Sequence, residues 1–242
     1  MNTMKAALLV LGLCACAAPA AAQQMQWTDQ GFVNVNVGVQ AGSHDLATNT
    51  TFTLYDENAT ISSAQKVKSG AFFDVGAGYK VWRNVTVGLT YLHTSSDASV
   101  AIAGSIPDPL VTDRPRTVAA AASGVKHSED ALNFDATYMM PVTDKIDVGI
   151  SAGPTIFFVK QDMVTSLPIT EPGPTVGTPV LSKVKKTTAG VNFGVDVNYM
   201  VTKRYGVGGV ARYTWGSAKL AGATDSLTVG GFQIGGGLRV RF

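Results

Sequence analysis

Gly31-Phe32-Val33-Asn34-Val35-Asn36-Val37-Gly38-Val39-Gln40 decides the fold. Four valines stand at alternate positions with Asn, Gly and Gln between or beside them. A strand sends successive side chains to opposite faces, so this segment is apolar on one side and polar on the other. A helix would scatter the same valines around its axis.

The same alternation recurs in seven more stretches. Residues 69–81 align Ala71, Phe73, Val75, Ala77, Tyr79 and Val81, and residues 85–95 align Val85, Val87, Leu89, Tyr91 and His93. Residues 127–140 give Leu132, Phe134, Ala136, Tyr138 and Met140; residues 146–160 give Ile146, Val148, Ile150, Ala152, Ile156 and Phe158. Residues 187–200 give Ala189, Val191, Phe193, Val195, Val197 and Tyr199. Residues 205–218 give Val207, Ala211, Tyr213 and Trp215, and residues 227–242 give Phe232, Ile234, Leu238, Val240 and Phe242. With residues 31–42 these predict eight antiparallel strands, each longer than the roughly 5–6 residues usual in soluble proteins.

The connections alternate. Arg83-Asn84, Val142–Lys145 and Val201–Arg204 are tight, residues 219–226 are intermediate, and residues 43–68, 96–126 and 161–186 are expected as long polar loops. Short turns on one rim and long loops on the other mark a barrel threaded through an outer membrane. Lipid offers backbone groups no hydrogen bonds, so the sheet must close. Tyr79, Tyr138, Tyr199, Tyr205 and Phe242 fall near the tight turns, and Phe73, Tyr91, Phe158, Tyr213 and Trp215 lie further up the apolar face. Two aromatic rings at two heights suit two membrane interfaces. A soluble barrel with its apolar face inward has the same parity. The opposite face, however, is dominated by Gly, Asn, Asp and Thr rather than the Lys and Glu of a solvated exterior. The fold expected is all-β: an eight-stranded antiparallel up-and-down transmembrane β-barrel.

Residues 1–22 read as an export signal: Lys5, the apolar run Ala6–Ala18, then Ala20-Ala21-Ala22 before Gln23. The barrel domain is therefore expected over residues 23–242. Cys14 and Cys16 both fall in the leader, so no disulfide or thiolate metal site is expected in the mature chain. The net charge is +2 over 242 residues, and loss of the leader removes one positive charge with Lys5. Nothing in that balance points to nucleic acid.

Parity sends Asp74, Lys80, Asp135, Asp147, Asp196, Arg212, Arg239 and Arg241 to the interior. An eight-stranded bore is only wide enough for side chains, and isolated charges in it are costly, so four acids and four bases predict ion pairing. Asn34, Asn36, Asn192, Asn198 and Gln233 are expected to complete the plug, with inward glycines making room. A plugged bore implies little conductance.

The chain ends Gln233-Ile-Gly-Gly-Gly-Leu238-Arg239-Val240-Arg241-Phe242. Leu238, Val240 and the terminal Phe242 resemble the C-terminal assembly signal of bacterial outer-membrane barrels. With the strand count, the chain resembles the small eight-stranded class that includes the barrel of outer membrane protein A and outer membrane proteins X and W. That resemblance implies the bacterial outer membrane as location, a monomer, and the barrel-insertion machinery as an assembly partner.

Chemistry-bearing motifs are sparse. His93 and Ser95 share a face near the upper rim, as in outer-membrane lipid A deacylases, but Ser96 stands where that family has Asn, and the expected Glu is missing on the following strand. His127, Ser128 and Glu129 are consecutive, which separates His from Ser. His44-Asp45 opens a loop and reads as solvated. Lys183, Lys185 and Lys186 cluster where the third long loop meets a strand; the cluster reads first as a solvated charge run, and alternatively as a contact for lipopolysaccharide phosphates at the outer rim. No catalytic site, metal or cofactor is expected. The role expected is structural or surface-interactive, with passive transport of small apolar molecules as the alternative and lipid A modification as a remote one.

Overall fold

The computed structural model describes residues 26–41, 44–67, 69–170, 175–220 and 226–242. The expected leader, with Cys14 and Cys16, lies outside them. Among the described residues there are twelve strands: β1 (Gly31–Ala41), β2 (His44–Leu54), β3 (Glu57–Val67), β4 (Gly70–Trp82), β5 (Val85–Pro107), β6 (Pro115–Pro141), β7 (Ile146–Ser166), β8 (Ile169–Thr170), β9 (Thr175–Val176), β10 (Val180–Met200), β11 (Tyr205–Ala218) and β12 (Leu227–Arg241). Eight of them close a ring in the order β1, β4, β5, β6, β7, β10, β11, β12, and β12 pairs back onto β1. Every pairing in that ring is antiparallel.

The ring is sheared, as closure requires. Paired residues traced from Asn34 run through Gly76, Thr90, Asn133, Thr155, Gly190 and Gly216 to Val229. Asn34 itself pairs with Arg239, ten residues from Val229 on β12. At the seam, the Gln30 and Gly31 amides donate to the Phe242 carbonyl, and the Phe242 amide donates back to Gly31. Two turns at that end share one device: Thr143 Oγ1 accepts from the Lys145 and Ile146 amides, and Thr202 Oγ1 from those of Arg204 and Tyr205.

The apolar face points outward. Val37, Phe73, Tyr79, Leu89, Phe193, Trp215 and Phe242 are all exposed, while Asn36, Asp74, Thr90, Asn133 and Asp147 are buried. Both expected aromatic groups lie on this outer surface.

The long polar loops are corrected by the structure: most of their length is strand. Residues 44–54 and 57–67 form a hairpin that continues the sheet by pairing β3 with the upper part of β5. β5 and β6 pair almost to the tip, and β7 and β10 reach 21 residues each. The physical reason lies in the inward residues of β5. Low in the barrel they are Thr86, Gly88 and Thr90; high up they become Ala98, Val100 and Ile102, buried against Ile61, Val118 and Val125. Where lipid surrounds the sheet, polar groups go inside. Where water surrounds it, apolar groups do. The polarity of the alternation therefore inverts with height, and the inversion on β5 falls between Tyr91 and Ala98.

Candidate functional site

Four layers fill the bore. Trp27 forms the floor: it is buried, its amide donates to Asn84 Oδ1 at 3.0 Å, and its ring lies edge-on to Phe32 at 6.4 Å. The Arg241 guanidinium sits 5.9 Å from the indole centroid.

The ionic layer is next. Arg241 pairs with Asp147, and with Asp29 at 3.6 Å. Arg239 donates Nε to Asn198 Oδ1 at 2.6 Å, Nη1 to Asn36 Oδ1 at 2.6 Å and Nη2 to Asp196 Oδ1 at 3.2 Å. Asn36 Nδ2 passes the network to Asp74 at 2.7 Å, and Arg212 Nη1 reaches the other Asp74 oxygen at 3.4 Å. Asn198 Nδ2 donates to Asp147 at 2.9 Å, which joins the two arginine clusters. Below the first strand, burial pushes the Asp29 carboxyl above the usual range, and nearby Arg241 opposes that shift.

Seven of the eight expected interior charges are thus in the bore, six of them in three arginine–carboxylate pairs. Asp135 is buried, and among the described residues no cation lies in hydrogen-bond range of it; Thr90 Oγ1 donates to it at 3.2 Å. Lys80 is the correction. It lies at the barrel's lower rim, where its ammonium donates to the Trp27 and Thr28 carbonyls at 3.1 and 3.2 Å and stacks over Trp27. Its stem is long enough to leave the wall and cap the N-terminal segment, which parity alone does not reveal. Asp29, which precedes the first strand, takes its place in the network.

The third layer is apolar: Phe72, Leu92 and Phe157 cross the bore and continue upward to Leu220, Leu227 and Val229. The roof is polar. His127 Nε2 contacts Glu129 Oε1 at 2.8 Å and its Nδ1 contacts Gln161 Oε1 at 2.5 Å. Glu129 Oε2 accepts from the Gly230 amide at 3.0 Å, and Gln40 Oε1 accepts from Gln233 and Thr94. Sequence reading missed both layers and the Trp27 floor. The inward parity of Phe72, Leu92 and Phe157 was available, but it placed apolar groups where a polar lumen was expected. One internal cavity of about 30 Å³ lies in the bore, lined by Asn34, Asp135, Ser151, Arg212 and Arg239 among others. That volume holds only one or two waters.

On the outer surface, the expected His93–Ser95 pair gains an acid. His93 Nδ1 contacts Asp130 Oδ1 at 2.7 Å across β5 and β6. Asp130 also accepts from Tyr91 and from Lys160, each at 2.8 Å, so its oxygens are committed to three donors. Among the described residues no hydrogen bond joins Ser95 to His93. Lys183 and Lys185 sit opposite Asp162 and Lys160 of β7 on the outward face. Lys186 pairs with Val159 and so has the other parity, which removes it from the expected cluster.

One irregularity marks the wall. The β6–β7 ladder lapses at Phe134 and Asp135, opposite Gly153 and Pro154, although pairing resumes on both sides. Proline has no N–H to give the ladder. A surface groove there, lined by Leu89, Phe134, Ala152 and Pro154, shares Phe32, Gly88 and Asp135 with the internal cavity.

Leu238, Val240 and Phe242 occupy the outward face of the closing strand. Deleting Phe242 removes the three backbone bonds that close the seam at residues 30 and 31. The expected result is loss of the heat-modifiable band in outer-membrane extracts, and an unchanged yield would exclude an assembly role for this residue.

Among solved structures, the chain is similar to Neisserial surface protein A at 14% identity, covering 88% of this chain and 97% of that one, with a TM-score of 0.49. It is similar to OprG of Pseudomonas aeruginosa at 10% identity, covering 88% and 97%, with a TM-score of 0.46. Ail of Yersinia pestis matches at 10% identity, covering 87% and 99%, with a TM-score of 0.38. A search of curated proteins finds no match. The family model described as the outer membrane protein beta-barrel domain matches residues 6–242. With a closed eight-stranded ring, an apolar exterior and that match over nearly its whole length, this chain belongs to the outer-membrane β-barrel family and is a protein of the bacterial outer membrane.

Proposed function

We propose that this barrel is a closed scaffold with a structural and surface-interactive role, presenting rigid β-hairpins outside the cell. The observation that carries the reading is the filled bore: an indole floor, an ionic layer, an apolar layer and a polar roof, stacked around one internal cavity of about 30 Å³. A solute path along the axis would have to break charge pairs whose separated members are expensive to bury. Planar-bilayer recording of purified protein is therefore expected to give no discrete steps above baseline. Reproducible unitary conductance would overturn the reading.

A second reading, lateral passage of a small apolar molecule, draws on the lapse beside Pro154. Substituting Pro154→Val restores an N–H to the wall. If the lapse is a portal, uptake of an apolar fluorophore into vesicles should fall in the variant; equal uptake, or none in either protein, removes this reading.

A further inference from the structure

We infer that the outward face of β6, β7 and β10, at the height where the strands leave the membrane, is a binding site for the phosphate-bearing headgroup of an outer-leaflet lipid. The inference rests on the membrane reading above and adds a ligand and a place.

Lys160 on β7 and Lys185 on β10 are direct cross-strand partners on the outer surface, with Lys183 the next outward residue on β10. Like charges placed directly opposite in a sheet repel, so this arrangement calls for an anion. The neighbouring acids do not supply it fully. Asp130 is shared among Lys160, His93 and Tyr91. Asp162 faces Lys183 and also accepts from the Lys126 amide at 3.3 Å. Lys185 is exposed and faces Lys160, leaving positive charge in excess. Asp130 acts as a positioning residue, because it anchors Lys160 against the wall.

Height selects a lipid over a free ion. Directly below Lys160 on the same face come Phe158 and Ile156, and below Lys185 come Thr187 and Ala189. The apolar band therefore begins one outward residue beneath the lysines on β7. The polarity inversion on β5, between Tyr91 and Ala98, brackets His93, the cross-strand partner of Asp130. Cations at that boundary with apolar residues below match an amphiphile: phosphate above, acyl chains beneath. The sequence cluster of three lysines is thus replaced by one assembled across strands, in which Lys160 stands in for Lys186.

The test uses the folded full-length barrel in neutral detergent, with native mass spectrometry reading bound lipid. The probes are bisphosphorylated lipid A, the same lipid stripped of phosphate, and inorganic phosphate. Wild type should hold the bisphosphorylated lipid at least roughly tenfold more tightly than the stripped one, and Lys160→Gln/Lys183→Gln/Lys185→Gln should lose that preference. Lys145→Gln/Lys203→Gln, at the opposite rim, should keep it. Equal binding of stripped lipid, equal loss in the opposite-rim variant, or displacement by inorganic phosphate at similar concentration would each overturn the proposal. If the triple variant lacks the heat-modifiable shift, Lys185→Gln alone carries the same comparison. A wild-type protein lacking that shift would instead strike at the membrane reading itself.

Discussion

Arg239→Ala is expected to lower the stability of the barrel by about 3–5 kcal/mol, the usual cost of stranding a buried ionic partner. The guanidinium, carried by β12, ties together Asn36 of β1 and Asp196 and Asn198 of β10. Its removal leaves the Asp196 carboxylate in a bore sealed by Trp27 below and Phe72, Leu92 and Phe157 above. Urea unfolding in lipid vesicles, followed by tryptophan fluorescence, measures the change. Adding Asp196→Asn removes the stranded charge, so the double variant should recover a substantial part of the loss, as coupled neighbours do. An unchanged midpoint in Arg239→Ala would mean that the ionic layer contributes nothing to holding the cylinder together.

Gly237→Val is expected to prevent folding. A Cβ at Gly237 would fall inside the van der Waals shell of the Val35 carbonyl oxygen and lie 2.7 Å from Asn36 Cα, both backbone atoms of the paired strand. Backbone cannot rotate away as a side chain does, so the β1–β12 seam must part, and in lipid an open edge has no alternative partner. Gly209→Val is the control: there the nearest atom is the Gly235 carbonyl oxygen, at an ordinary 3.7 Å. The control should show the heat-modifiable band in outer-membrane extracts, and Gly237→Val should not. A folded band in both would show that the seam has slack.

The membrane portion of the fold was legible because lipid enforces a strict code. Val33 to Val39, or Val191 to Tyr199, must be apolar wherever they meet hydrocarbon, so the period of two survives with high contrast. Above the membrane the code relaxes. Ala98, Val100 and Ile102 face inward, while Ser99, Ala101 and Ala103 face water. Alanine serves on both sides, so the contrast falls and strand reads as loop. Interior pairs follow the same logic. Arg239 and Asp196 are placed by parity alone, whereas Lys80 and Trp27 depend on how a stem and an N-terminal segment turn at the rim. The outward lysines were half visible: Lys183 and Lys185 lie close in sequence, but their partner Lys160 is brought in only by the register of β7 against β10.

The β5–β6 hairpin stays paired to Pro107 and Pro115, and the Asp108 amide bonds to Arg114 across its end. Ten residues of strand beyond Asp97 amount to about 30 Å of paired support. Such a mast cannot fold back over the cylinder it rises from. Leu110, 90% exposed at its summit, stands where an inserted epitope would be displayed, and antibodies against that summit should bind intact cells.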